Sequence, residues 1–307
     1  MSPLQRALDD YMRVRRALGF GLAREGRLLP QFVTFLERHG HASLSAPLAL
    51  RWALTPLGVS PQWARTRLAM VRGFARYLAA HDPRTQVPGL ELLPPPPTAR
   101  RMPYLYTDAE VCALVQAART LPGLKGATYA TLLGLLAATG MRVGEALALE
   151  RDDVDAHDRV LRIRHGKFGK ARELPLHPTT TAALRAYARE RDRMLPHPRS
   201  PSFLLSRAGT RLHYTNVHAT FLRLLHRTRL ALPPPPRPRL HDLRHTFAVT
   251  TLVRWYRAGV EVEVRLPALS TYLGHVAPSS TYWYLTATPE LLQLAHRRAQ
   301  RVHEARP

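Results

Sequence analysis

Four consecutive prolines, Pro94 to Pro97, constrain this chain more than any other feature, because proline lacks the N–H that a helix interior or a sheet ladder needs. In polyproline II they span on the order of 12 Å. The surrounding stretch 87–103 is proline-rich throughout and carries Arg100 and Arg101. It divides 307 residues into two pieces of ordinary domain size. We place an N-terminal domain at 1–93, a linker at 94–103 and a second domain at 104–307. A flexible basic linker lets two domains close around a duplex like a clamp; an ordinary spacer needs no such role.

Residues 3–82 read as helical. Leu4, Leu8, Tyr11, Met12 and Leu18 recur at helical spacing, and Phe32, Val33, Phe35 and Leu36 form a second apolar face. Ser60 is suited to cap a helix with Pro61 at its first position. Trp63, Leu68, Val71, Phe74, Ala75 and Leu78 continue that helix to about His81. Its Arg65, Arg67, Arg72 and Arg76 face either DNA or solvent.

The second domain opens on Thr107-Asp108-Ala109-Glu110, a capping-box pattern. A helix over 127–139 stops at Gly140, a residue suited to the left-handed conformation past a helix end, so Arg142 sits at a junction. Between 154 and 176 the period changes to two. Val160, Arg162 and Arg164 alternate with Leu161, Ile163 and His165, and Arg172-Glu173-Leu174-Pro175-Leu176 follows a glycine-bounded turn carrying Lys167 and Lys170. Helices are expected at 178–194, 215–230, 241–258, 267–273, 278–286 and 289–302, with Pro233–Pro236 as a rigid loop. The fold class is therefore mainly α with a small antiparallel β-sheet.

The charge points to a polyanion. Lys plus Arg number 45 against 22 Asp plus Glu, a balance of +23 that attracts nucleic acid. Nearly all of it is arginine, which bonds phosphate with a planar fork. The single Cys112 rules out an internal disulfide, and its apolar surroundings predict a buried thiol. No apolar run approaches the roughly 20 residues that span a bilayer, and no signal peptide is evident, so a cytoplasmic protein without membrane contact is expected.

One scattered set of polar residues fits phosphodiester chemistry: Arg142 and Glu145, Lys167, His241 and Arg244, His275, and Tyr284. A phenol can serve as nucleophile, two guanidiniums can hold a phosphate, and a lysine and two histidines can move protons. No cluster suits a metal and no cofactor is called for. Singly, each has a bland explanation: a helix-surface ion pair, a polar helix start, a solvated turn, an aromatic core. Their order and spacing resemble the tyrosine recombinase (phage integrase) family. The resemblance lies in Thr139-Gly140-Met141-Arg142-Val143-Gly144-Glu145, a hairpin lysine 25 residues beyond Arg142, His241-Asp242-Leu243-Arg244, Leu273-Gly274-His275, and a tyrosine nine beyond that histidine.

The resemblance covers 104 to the end, and the helical first domain looks like that family's SAM-like core-binding domain, the two forming a C-shaped DNA clamp. It implies that Tyr284 attacks the scissile phosphate of double-stranded DNA to form a 3′-phosphotyrosyl bond, without ATP. Arg142 and Arg244 then bind the non-bridging oxygens, Lys167 is the general acid, and His241 and His275 bond the phosphate, His241 also being a candidate for the tyrosine proton. Glu145 orients Arg142. Lys170 rivals Lys167, and the family's pattern favours the latter; Tyr282 rivals Tyr284, and the spacing from His275 selects Tyr284. Gly259 to Pro267 lengthens the segment before His275, as in the branch carried by transposons, and forms either a surface contact or a longer loop. The helix from Pro289 implies a homo-oligomer, a tetramer on two duplexes, with packing in cis as the alternative. Any companion recombinase or accessory factor is expected in trans. Competing functions are a type IB topoisomerase, which relaxes DNA without strand exchange, and a catalytically silent DNA-binding regulator.

Overall fold

The computed structural model describes every residue except 56–57, 96–101, 165, 167–170, 231–236, 276, 278, 287 and 305–307. Lys167, Lys170, Arg100, Arg101 and the Pro233–Pro236 loop therefore lie outside the described residues. The chain divides into two compact units, Met1–Arg100 and Arg101–Pro307.

The first unit is helical: α1 (Pro3–Ala17), α2 (Glu25–Arg38), α3 (Ala46–Leu54) and α4 (Pro61–Ala79). Ser60 caps α4 through a bond from the Trp63 amide at 3.2 Å, with Pro61 inside the start where no N–H is needed. Leu8, Leu29, Phe32, Leu36, Val71 and Phe74 share one core. The expected DNA face of α4 needs correction at Arg67. That side chain is buried, lies 3.7 Å over the Trp52 ring and donates to the Trp52 carbonyl at 2.7 Å. Arg72 donates to the Pro88 and Gly89 carbonyls, each at 2.7 Å, and Arg65 to the Pro94 carbonyl at 2.9 Å. These two hold the proline-rich segment before the expected linker, from Pro88 to Pro94, against α4. Arg76 alone of the four is exposed.

The second unit contains α5 (Asp108–Arg119), α6 (Leu124–Thr139), α7 (Val143–Ala148), β1 (Val154–Asp155), β2 (Val160–Ile163), β3 (Arg172–Pro175) and α8 (Pro178–Met194). Then come α9 (Tyr214–Arg227), α10 (Asp242–Arg257), α11 (Val262–Leu273), α12 (Ser279–Tyr282), a 3₁₀ turn Trp283–Thr286, and α13 (Pro289–Glu304). The Thr107–Glu110 capping box forms as expected. The strands make one antiparallel sheet in the order β1-β2-β3, with Leu161 opposite Leu174. Helix α6 is buried on several sides, which explains its largely apolar sequence, and it packs against α5, α8 and α10.

Two further expectations need correction here. Cys112 is exposed, because the buried face of α5 is set by Leu114 and Ala118, and two residues before Leu114 is about 200° around the helix. From Val262 on, the segment before Pro267 is helix rather than a longer loop: α11 starts at Val262, whose side chain is fully buried with Leu266, and Pro267 lies within the helix, while Val264 is exposed as the surface alternative requires. Helix α13 packs in cis on α10 through buried Leu291, with Glu290 paired to Arg257 at 2.6 Å.

Candidate active site

Two left-handed glycines end the helices that present the site. Gly140 closes α6 at φ +59°, and a Cβ there would stand 2.5 Å from the Phe247 ring. Gly274 closes α11 at φ +68°, with His275 directly after it, while Arg142 stands two residues beyond Gly140. Arg244, on α10, bridges these two stops. Its Nη1 donates to the Gly140 carbonyl at 2.9 Å and its Nη2 to the Leu273 carbonyl at 2.6 Å. Helix C-termini carry partial negative charge, which lets a guanidinium that is only 2% exposed sit there.

Arg142 lies at the N-cap of α7. Its backbone N–H donates to Glu145 Oε2 at 3.0 Å, its Nη1 to Glu145 Oε1 at 2.8 Å, and its Nη2 to the Gly274 carbonyl at 2.7 Å. Glu145 is buried and also takes both Nη groups of Arg172, from β3, at 3.0 and 2.8 Å. Asp242 is fully buried and belongs to Arg239, at 2.7 Å, fixing the approach to α10.

Tyr284 sits in the 3₁₀ turn, 2% exposed, with its hydroxyl 3.2 Å from His245 Nδ1 and its ring 6.0 Å from that of His275. Tyr282, at the end of α12, is 52% exposed and so stands apart from the buried Tyr284. His275 Nδ1 lies 2.7 Å from the Thr281 hydroxyl. His241 stacks edge-on against His245, with ring centroids 4.8 Å apart. His245 thus lies beside the tyrosine hydroxyl, one turn along α10 from His241.

The phage integrase family model matches residues 105–290, more than half of the chain. Across the full length of both proteins, the chain is 44% identical to the integrase/recombinase y4rB of Sinorhizobium fredii. This chain belongs to the phage integrase family. It is a tyrosine recombinase, an enzyme that cuts and rejoins DNA through a tyrosine nucleophile. The recombinase is also 31% identical to tyrosine recombinase XerD of Caulobacter vibrioides, over 94% of this chain and 93% of that one. The solved Tn1549 transposon integrase, in complex with transposon right-end DNA, shares its fold at a TM-score of 0.64 and 17% identity, covering 96% of this chain and 99% of that one.

The recombinase pocket holds more positive charge than it neutralises. Three guanidiniums, Arg142, Arg172 and Arg244, face one carboxylate, Glu145, leaving 3 − 1 = +2 among the described residues. No carboxylate among the described residues pairs with Arg244. Burial, then the Arg142 charge, lowers the Arg244 pKa to about 10. Burial alone would raise Glu145, but bonds from Arg172 and the Arg142 amide outweigh it and hold the carboxyl below its ordinary range. Desolvation, then the neighbouring arginines, brings His275 to about 4; desolvation, then His241, does the same for His245. His241 is lowered by desolvation and then by Arg244, although the residue is exposed at the rim. Near neutral pH His245 and His275 are uncharged. No group of His, Cys, Asp and Glu among the described residues is arranged for a metal, and no helix is long and apolar enough to cross a membrane.

Sequence reasoning missed Arg172, His245 and Thr281. His245 is one turn from His241 on α10, a spacing that places both on one face and was open to reading.

Proposed function

We propose that Tyr284 is the nucleophile of a site-specific recombinase serving a mobile element. Its phenolate attacks the scissile phosphorus, the bond to the 5′-oxygen breaks, and a 3′-phosphotyrosyl bond conserves the energy for rejoining. Arg142 and Arg244 bind the non-bridging oxygens. The observation that carries this reading is the uncompensated charge beside a tyrosine hydroxyl: buried guanidiniums lacking a full set of carboxylates favour an anion in their midst. A neutral His245 is suited to accept the Tyr284 proton, a task for which His241 is the candidate in the sequence. A Thr281 hydroxyl donating to His275 Nδ1 leaves Nε2–H as a donor for a phosphate oxygen. Lys167 supplies the proton to the departing 5′-oxygen.

Tyr284 is 2% exposed, so in-line attack requires its 3₁₀ turn to shift outward when DNA is engaged. Exchange between two duplexes breaks four strands, one tyrosine for each, which calls for four copies of the chain. In that assembly α13 is the segment suited to leave its cis position and join neighbouring copies. The protein acts in the cytoplasm, on chromosomal or mobile DNA.

The test is covalent capture from a library of nicked duplexes of randomised sequence, using wild type, Tyr284→Phe and Tyr282→Phe. We expect a denaturation-resistant adduct, enriched for one sequence and lost only with Tyr284→Phe. Loss only with Tyr282→Phe overturns the assignment of the nucleophile. DNA retained without any adduct overturns the catalytic reading in favour of a DNA-binding regulator.

A further inference from the structure

Arg172 reaches out of β3 into the pocket, and its contacts exceed what a strand residue needs. Nη1 and Nη2 each donate to one oxygen of Glu145, at 3.0 and 2.8 Å, while Nε donates to the Tyr272 carbonyl at 2.9 Å. Its side chain is 11% exposed. A Cβ on Gly274 would stand 2.7 Å from Arg172 Nη1 and 2.8 Å from Cζ, so the guanidinium lies directly against the backbone that precedes His275.

A carboxylate and a guanidinium favour a two-bond fork. In this pocket the Glu145 fork belongs to Arg172. Arg142 keeps one side-chain bond to Oε1, and its Nη2 is thereby turned to the Gly274 carbonyl. Its other N–H groups have no partner among the described residues and remain available to an anion.

We propose that Arg172 is a positioning residue for phosphate binding: by occupying the Glu145 fork it denies that fork to Arg142 and keeps the Arg142 guanidinium presented to the scissile phosphate. The proposal rests on the reading that Arg142 contacts that phosphate. Without Arg172, the buried carboxylate retains a single cation, and Arg142 swings to take both oxygens. Its bond to Gly274 and its phosphate contact are then lost together.

The experiment uses the full chain and the sequence recovered by covalent capture, made once with the ordinary scissile phosphodiester and once with a methylphosphonate there. Replacing a non-bridging oxygen by methyl removes the charge that Arg142 would compensate. Cleavage is compared for wild type, Arg142→Ala, Arg172→Met, Arg172→Lys and the Arg142→Ala/Arg172→Met pair, each relative to wild type on the same substrate. Lysine keeps the charge but cannot form the fork.

On the diester we expect Arg142→Ala and Arg172→Met each to slow cleavage by about tenfold or more, with Arg172→Lys between them and wild type. The pair should be no slower than Arg142→Ala, because both act on one contact. On the methylphosphonate all should come within about twofold of wild type, the ordinary error of additivity. Thermal unfolding serves as the control; should Arg172→Met fail to fold, Arg172→Lys carries the same comparison. The proposal is overturned if Arg172 variants cut the diester like wild type. It is equally overturned if their defect persists on the methylphosphonate while that of Arg142→Ala is relieved, which is the signature of a merely structural arginine. If Arg142→Ala itself shows no defect, or one the methylphosphonate does not relieve, the phosphate-binding reading falls, and this proposal with it.

Discussion

Replacing Glu145 by Gln should remove the one carboxylate that offsets the pocket's guanidiniums, and its cost can be worked from the contacts. Four hydrogen bonds between 2.8 and 3.0 Å end on this carboxylate, whose side chain is 4% exposed. The amide retains the shape but presents an NH₂ where a guanidinium needs an acceptor. Pocket charge rises from 3 − 1 = +2 to +3 among the described residues. Removing one partner from a buried ion pair costs roughly 3–5 kcal/mol. The lower figure applies here, because Arg142 is 22% exposed and can turn toward water. A domain of this size loses about 2–4 °C of Tm per kcal/mol, so the unit formed by Arg101–Pro307 should melt about 6–12 °C earlier in calorimetry of the full chain.

Two further signatures separate this account from a general packing defect. Sulfate should raise the Tm of Glu145→Gln more than that of wild type, since the variant's pocket has the greater deficit of negative charge. The acid response should also change. The folded carboxyl is held below its ordinary value, so its stabilisation is fully present above about pH 4.3 and is lost as pH falls through the lower folded value. The amide variant lacks that contribution at any pH. A Tm loss under about 2 °C, or equal stabilisation of both proteins by sulfate, would refute the reasoning.

Gly274→Ala should cost about 1–2 kcal/mol from its φ of +68° alone, and its Cβ, 2.7 Å from Arg172 Nη1, should displace that arginine. Denaturant midpoints should fall and cleavage should slow together. His245 and His275 both lie near 4 in the fold against an ordinary 6.5, so the unfolded chain binds more protons between those values and stability drains as pH falls through that window. At most about one extra proton per histidine gives a slope of up to roughly 2.7 kcal/mol per pH unit near pH 5, and the His245→Asn/His275→Asn pair should flatten urea midpoints measured from about pH 4.5 to 6.5. Arg67→Ala should lower the melting temperature of the first unit yet leave the salt dependence of DNA binding unchanged, since its guanidinium is buried on Trp52. Arg76→Ala should reduce the log–log salt slope by about 0.9 if its exposed guanidinium meets a phosphate; an effect from Arg67 in its place would reverse the assignment.

What could be read from the chain depended on how local the deciding cue was. Gly140 announces the end of its helix, so Arg142 was placed correctly at a junction; Gly274 ends α11 in the same way, a cue that went unread. Ser60 and Thr107 likewise announced starts. Cys112 and Arg67 went wrong because helical spacing marks an apolar residue or a cation without saying which face the tertiary core will choose. Pro267 looked like a helix start, yet burial of Val262 and Leu266 carries α11 through it, a tertiary gain that outweighs one missing N–H. Arg172 is the instructive miss, because its signal was present. Strand alternation puts it on the same side as Leu174, which is fully buried, and opposite exposed Glu173. An arginine on the inward face of a strand must find a carboxylate or acceptors, and Glu145 and the Tyr272 carbonyl answer that need from 27 and 100 residues away. The pattern thus revealed the demand, and only the fold could reveal that the carboxylate meeting it is the one that also holds Arg142.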